Sequence, residues 1–355
     1  MTDDAPYGFA SRLMHKVALG SKGVAQTSFD IDRTMAAKQL DLPRADEIHP
    51  VYVTGLARAG TTLLTTLIHQ SGLYRSLTYR DMPFVLMPVL WRKLSRSFQS
   101  REEKQERAHG DGMLVGYDSP EEFEEVFWRI FCGEDYIFDD RLTPHDVPAE
   151  TADLYKDYIR RLCAMDGKTR YLAKNNNNVL RLDSLCQFWP QAKIIIAFRD
   201  PLPHAQSLLA QHKRFLKQHQ EDKFVERYMS WLGHYEFGQN HKPCRFNRDD
   251  RPASDERWQT LDVWVEYWCH IYSHLLRYQS KSQVIFVCYE DLCARPEEFL
   301  AHLFGKLDLP KAGLRSLAGE ISPASRSATD QQADQSRLTE AYEIYKKLRQ
   351  ISVSR

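Results

Sequence analysis

Four groups of residues in this chain have types and spacings that could do chemistry. Gly55 and Gly60 bound a short loop that carries Arg58 and Ala59 and leads straight into Thr61 and Thr62. If a helix starts there, its free backbone N–H groups and the positive end of its dipole favour an anion such as phosphate or sulfate. Arg58 adds a cation inside the loop. Arg199 ends an apolar run and is followed by Asp200, Pro201 and, further on, Ser207; a planar guanidinium fork and a hydroxyl both suit phosphate oxygens. Lys174 ends a third run, ahead of the asparagines Asn175 to Asn178. Asp81, Glu121 and Glu122 are carboxylates that could accept a proton. An anion held in a loop, cations around it and a base nearby describe group transfer.

The elements that must position these residues follow from periodicity. Val51 to Thr54 suits a buried strand, and Thr61 to Gln70 has apolar residues at helical spacing. Tyr74 to Tyr79 reads as a second strand, so Asp81 falls on the carboxyl edge of an open sheet, where an acceptor hydroxyl would need a base. Its other reading is a cap for the next segment or a partner of Arg80. Tyr171 to Ala173 is a third strand, which sends Lys174 to the same edge as Arg58. Lys193 to Phe198 is a near-continuous apolar run of the kind a central parallel strand buries on both faces, with a helix from about Leu202. Gln283 to Cys288 is a further strand. The expected fold class is α/β, a P-loop-like doubly wound parallel sheet of about five strands flanked by helices.

Around this frame, residues 1–47 are expected to be a helical flank, with helices at about Phe9 to Leu19 and Ile31 to Leu40 separated by Gly20, Ser21 and Gly23. Residues 48–310 are expected to form the α/β domain, and 311–355 a C-terminal loop and charged helix. Ser119, Pro120 and Glu122 spell a helix start, as N-cap, first-turn proline and capping box, with the helix continuing through Phe123, Val126, Phe127 and Ile130. The asparagines read as a turn and N-cap before a helix over Val179 to Phe188. His204 reads as a solvent-facing helix residue. His212, Lys213, Arg214, Lys217 and His219 are either a basic rim or an exposed helix face. Tyr228 to Arg257 is loop-like, the kind of segment that shapes an acceptor pocket, and Trp258 to Tyr278 is a long helix with an aromatic stripe.

The chain has 355 residues with 43% hydrophobic content, enough for one large core or a core with a helical annex. Lys plus Arg and Asp plus Glu are 48 each, so no global field draws in nucleic acid. The 7 cysteines form no C-x-x-C pair and no zinc spacing, which reads as reduced thiols. The N-terminus lacks the pattern of a secretion signal, and the most apolar run, Pro83 to Trp91, is too short for a membrane span. A cytoplasmic protein is the expectation, and a homodimer is compatible with it.

A nucleotide triphosphate loop requires Lys right after its second glycine, but Thr61 stands there and the cation sits at Arg58. The stretch Gly55 to Thr62 thus resembles the 5′-phosphosulfate loop of sulfotransferases, which use 3′-phosphoadenosine 5′-phosphosulfate (PAPS). In tyrosylprotein sulfotransferases and many bacterial relatives it reads close to G-x-P-R-S-G-T-T-L. Here Ala57 replaces Pro and Ala59 replaces Ser, removing one hydroxyl. Strand, Arg199, Asp200, Pro201 and a helix bearing Ser207 resemble that family's 3′-phosphate motif. The resemblance implies PAPS as co-substrate, held by Gly55, Arg58, Ala59, Gly60, Thr61, Thr62, Arg199 and Ser207, with no metal. It implies Arg58 and Lys174 beside the moving sulfuryl group, and a carboxylate base: Asp81 first, Glu121 or Glu122 second. Arg326 and Ser327 would belong to a C-terminal loop closing over the 3′-phosphate. The acceptor would be a hydroxyl of a small molecule, glycan or lipid, with an amine less favoured. The alternatives are a nucleotide kinase or hydrolase of the phosphate-loop class and a non-catalytic nucleotide-binding relative.

Overall fold

The computed structural model describes residues 9–95, 105–106, 114–115, 118–247, 255–321 and 331–353. In chain order, α1 (Phe9–Gly20) and α2 (Lys22–Gln39) precede β1 (His49–Thr54), α3 (Thr61–His69), β2 (Tyr74–Arg75) and α4 (Pro88–Ser95). A small ribbon, β3 (Gln105–Glu106) and β4 (Leu114–Val115), leads to α5 (Glu125–Tyr136), α6 (Ala149–Ala164), β5 (Arg170–Lys174) and α7 (Leu182–Phe188). Next come β6 (Lys193–Phe198), α8 (Pro201–Glu221), α9 (Lys223–Leu232), α10 (Leu261–Leu275) and β7 (Val284–Cys288). The chain ends with α11 (Tyr289–Ala294), α12 (Pro296–Lys306), α13 (Leu314–Gly319) and α14 (Gln335–Gln350).

Five strands form one parallel sheet in the order β2-β5-β1-β6-β7. Alternate side chains of each strand enter opposite cores. Tyr52, Tyr171, Ala173, Ile194, Ile196, Phe198 and Phe286 join the core on one face. Val51, Val53, Leu172, Ile195, Ala197, Ile285 and Val287 join that on the other, against α3 and α12. Helices therefore cover both faces, which is why these strands read as unbroken apolar runs. From β1 the chain first moves to β2, on the β5 side, and later to β6 and β7 on the other. The reversal falls at β1, and open α/β sheets bind ligands at such a point, beyond the carboxyl ends of the strands.

Several boundaries differ from those expected. The second strand stops at Arg75, because only Tyr74 and Arg75 pair with β5, and the chain then turns into a short 3-10 segment over Tyr79–Asp81. Between α1 and α2 only Ser21 is non-helical, and its hydroxyl caps α2 by accepting from Val24 N; α2 thus begins well before Ile31, with Gly23 absorbed in its first turn. Part of the segment read as a loop from Tyr228 is helical to Leu232. The described cysteines are free thiols, buried except for half-buried Cys293. Among the described residues no helix is long and apolar enough to cross a membrane.

Candidate active site

The loop between β1 and α3 is set by backbone demands. Gly55 has φ 133°, and a Cβ there would lie 2.4 Å from the carbonyl oxygen of Ala197 on the neighbouring strand. Gly60 has φ 91°, and its Cβ would lie 2.7 Å from the Tyr289 ring. Only glycine fits both positions. Arg58 itself has φ 70°, a left-handed conformation uncommon for a side-chain-bearing residue. Gly60 is the N-cap of α3 and no side chain caps that helix, so its first turn faces the loop with its dipole unanswered from within. Ala59 is buried and belongs to the same apolar cluster as Leu64 and Ile195. The hydroxyl lost at that position would have faced apolar packing.

Three adjacent strands deliver the cations and their partners to this loop. Arg58, beyond β1, donates from Nε to Ser207 Oγ at 3.3 Å, joining the loop to α8. Arg199, beyond β6, lies over the Tyr289 ring at 4.9 Å and 3.9 Å from Glu290 Oε1. It is buried, and its Nε has no hydrogen-bond acceptor. His204, expected in solvent, is fully buried between these cations: its Nε2 bonds the Ala57 carbonyl at 2.8 Å and its Nδ1 accepts from Trp268 Nε1 at 3.2 Å. Burial, with Arg199 and Arg58 nearby, pushes its pKa down to about 3, so the ring is a neutral rivet on the loop. The basic stretch further along α8 divides by helical face. Lys213, Arg214 and Lys217 are exposed, whereas His212 and His219 are buried and accept from Gly238 N and Gln239 N.

Lys174, at the end of β5, meets an acidic segment. Its Nζ lies 3.1 Å from Glu121 Oε1 and 3.0 Å from Glu122 Oε2. Asn176 donates to Glu122 from its backbone at 2.5 Å and from Nδ2 at 2.9 Å. One layer deeper, Glu124 accepts from Tyr155, Tyr171, Trp128 and Asn175, and Glu125 accepts a bidentate pair from Arg181 at 2.8 and 3.0 Å. This docking explains why the helix begins at Glu125 rather than at Ser119. Residues 118–124 stay irregular so that their carboxylates can turn toward Lys174 and the asparagines, and the expected capping box does not form. Asn175 does cap, but a 3-10 segment over Asn176–Leu180.

Burial dominates the titration of Glu122, lifting its pKa to about 7; Lys174 and His234 oppose the rise and Glu236 adds to it. His234 bonds the Glu122 carbonyl through Nε2 at 2.8 Å. Asp81 is placed differently. Its Oδ1 accepts from Arg75 Nη2 at 2.5 Å, and its Oδ2 accepts from the Thr78 amide at 2.8 Å. That carboxylate serves as a cap and as half of a buried ion pair, although its partner is Arg75, while Arg80 pairs with Asp118. Asp81 lines a cleft of about 500 Å³ with His69, Arg75, Arg80 and Asp166. Arg326 and Ser327 lie outside the described residues.

The profile of the sulfotransferase family matches residues 50–246, more than half of the chain. The chain belongs to the sulfotransferase family. Searched against curated proteins, this sulfotransferase has no match. Among solved structures it is similar to sulfotransferase STF9 from Mycobacterium avium, at 17% identity over 98% of this chain and 86% of that one, with a TM-score of 0.48. It is similar also to sulfotransferase STF1 from Mycobacterium tuberculosis H37Rv, at 13% identity over 92% and 82%, TM-score 0.47. A sulfotransferase from Alicyclobacillus acidocaldarius shares 13% identity over 85% and 94%, TM-score 0.42. Within the site of this enzyme, Asn176, His234, Glu236 and Tyr289 received no separate role from the sequence. The run of asparagines was the one signal available; Glu236 sits in a loop whose composition does not single it out.

Proposed function

We propose that this enzyme moves a sulfuryl group from PAPS to a hydroxyl, less readily an amine, of a small-molecule, glycan or lipid acceptor. The observation that carries the donor assignment is Arg199: a buried guanidinium with an unanswered Nε, at the strand end beside the loop where Arg58 meets Ser207. Buried cationic donors without acceptors favour an anion. In this reading Gly55, Ala59, Gly60, Thr61 and Thr62 shape the loop for the 5′-phosphosulfate with Arg58, and Arg199 and Ser207 hold the 3′-phosphate.

Sulfuryl transfer is mainly in-line positioning and charge stabilisation. The acceptor oxygen forms its bond to sulfur as the bond from sulfur to the 5′-phosphate oxygen breaks. Arg58 and Lys174 offset charge on the leaving oxygen, and no step is assigned to a metal. Glu122 takes the acceptor proton. Its pKa of about 7 suits a general base at neutral pH, and its contact with Lys174, the cation this reading assigns to the transferring group, supports the role. Glu121 shares that lysine and stands second; Asp81, committed to Arg75 and Thr78, stands third.

The C-terminal residues support a closing role for 311–355. Tyr342 and Tyr345 on α14 donate to Asp200 and Glu290, the neighbours of Arg199 and Tyr289. Arg326 belongs to the segment leading into that helix and is kept as a further 3′-phosphate ligand. The reaction would take place in the cytoplasm.

Thermal shift tests the donor. 3′,5′-Adenosine bisphosphate (PAP) at a hundredfold excess over its Kd should stabilise the fold by about 2.7 kcal/mol by mass action, with no rise from ATP and magnesium. The reverse pattern overturns the reading and favours a phosphate-loop kinase or hydrolase.

A further inference from the structure

Glu236 lies in the loop that follows α9, far in sequence from the acidic segment and from Lys174. It is half-buried, and its Oε1 accepts from Asn176 Nδ2 at 3.1 Å. The same Nδ2 donates to Glu122 Oε2 at 2.9 Å, and on the amide's other side Oδ1 accepts from Thr61 Oγ1 at 3.4 Å. An amide nitrogen carries two hydrogens, and here the two carboxylates take one each. The hydroxyl of Thr61 and the pair of carboxylates thus define which way the amide faces. Among the described residues no Lys, Arg or His forms an ion pair with Glu236, so its charge acts on its surroundings without a direct counter-ion.

We infer that Glu236 is a positioning residue for the base: by holding one hydrogen of the Asn176 amide, it aims the other at Glu122 and so fixes that carboxylate toward Lys174. The inference rests on the assignment of Glu122 as base. The groups around Glu122 are Lys174 from the end of β5, Glu121 from its own segment, and His234 and Glu236 from the loop after α9. Of these Glu236 contributes a like charge, which favours the protonated form of Glu122. Removing that charge strengthens the hold of Lys174 and makes Glu122 a weaker base that ionises at lower pH.

Two substitutions separate the bond from the charge. Glu236→Gln retains an oxygen that accepts from Asn176, whereas Glu236→Ala removes both. Carbon NMR of the glutamate carboxyls in the intact chain, with Glu122 assigned by its loss in Glu122→Gln, follows the titration without any acceptor. The Glu122 midpoint, near pH 7 in the parent chain, should fall by about one pH unit in both variants. In sulfuryl transfer from PAPS to the hydroxyl of 2-naphthol, where the acceptor oxygen loses its proton as the sulfur to 5′-phosphate bond breaks and PAP leaves, Glu236→Ala should lose up to about a hundredfold in kcat, and Glu236→Gln should recover most of it. A midpoint unmoved in both variants overturns the inference, as does a Glu236→Gln chain as slow as Glu236→Ala. A parent chain that binds no PAP in calorimetry overturns the donor reading instead, and the NMR titration still decides the role of Glu236.

Discussion

At the scale of single residues, identical carboxylates acquire different tasks from their partners. Asp81 faces a buried guanidinium and a backbone amide, two contacts that hold it in place. Glu122 is more deeply enclosed and shares its lysine with a second carboxylate, an arrangement that leaves it easy to protonate. Asp81→Asn should therefore destabilise the fold by about 3 kcal/mol, since Arg75 keeps only Asp166 nearby, while turnover per folded molecule stays near that of the parent. Glu122→Gln should do the opposite: unchanged PAP affinity and a rate lower by about 10²–10⁴-fold. A general base works only when ionised, so kcat/KM in the parent should climb as pH rises through about 7 and then level. Urea denaturation and initial rates on the two variants decide between the carboxylates; a slow Asp81→Asn enzyme with normal stability would return the role of base to Asp81.

At the scale of elements, the site is a junction of three strand ends rather than one motif. β1 leads into the glycine-bounded loop, β5 ends in Lys174, and β6 ends at Phe198, next to Arg199; their parallel register brings all three to one edge. His204 on α8 and Tyr289 on α11 then clamp the loop from both sides, one through the Ala57 carbonyl and one through contact at Gly60. The two glycines should not be equally sensitive. Gly55→Ala sets a methyl 2.4 Å from a strand carbonyl that cannot retreat, whereas Gly60→Ala meets a tyrosine ring with some freedom to turn. Both carry the cost of a positive φ, about 1–3 kcal/mol, and Gly55→Ala should show the larger drop in denaturation midpoint. Equal midpoints would mean that the strand carbonyl gives way as readily as the ring.

At the scale of the whole molecule, the N-terminal helices are tied to the α/β domain by charge as well as by packing. Asp32 on α2 and Arg161 on α6 form a fully buried pair at 2.7 Å, and the Arg161 guanidinium lies over Phe29 at 4.5 Å. Asp32 also accepts from the Leu90 amide at the start of α4. One carboxylate thus joins three helices. Asp32→Ala should cost about 3 kcal/mol by leaving Arg161 Nη1 and the Leu90 amide without their acceptor while Arg161 Nε keeps Asp157 at 3.1 Å, and adding Arg161→Met should recover part of the loss, since an apolar side chain avoids the desolvation cost. Additive losses measured by urea denaturation would show that the pair is not coupled and that residues 1–47 behave as a looser flank.

What the sequence alone determined was local: the apolar runs that make these strands, the glycines that bend the loop, and the cation and hydroxyls within it. These are legible because dihedral freedom and periodicity belong to neighbouring residues. The start of α5 was misread for the same reason. Ser119, Pro120 and Glu122 satisfy every local rule for a helix cap, but Lys174 and Asn176, some fifty positions downstream, offer Glu121 and Glu122 stronger partners. His204 looked exposed by position along its helix, and only the closing of α10 over α8 buried it against Trp268. Which carboxylate keeps its proton, and which histidine becomes a neutral rivet, depends on burial and on charges from distant segments. Tertiary structure alone decided these, because desolvation and Coulomb interaction act through space and not along the chain.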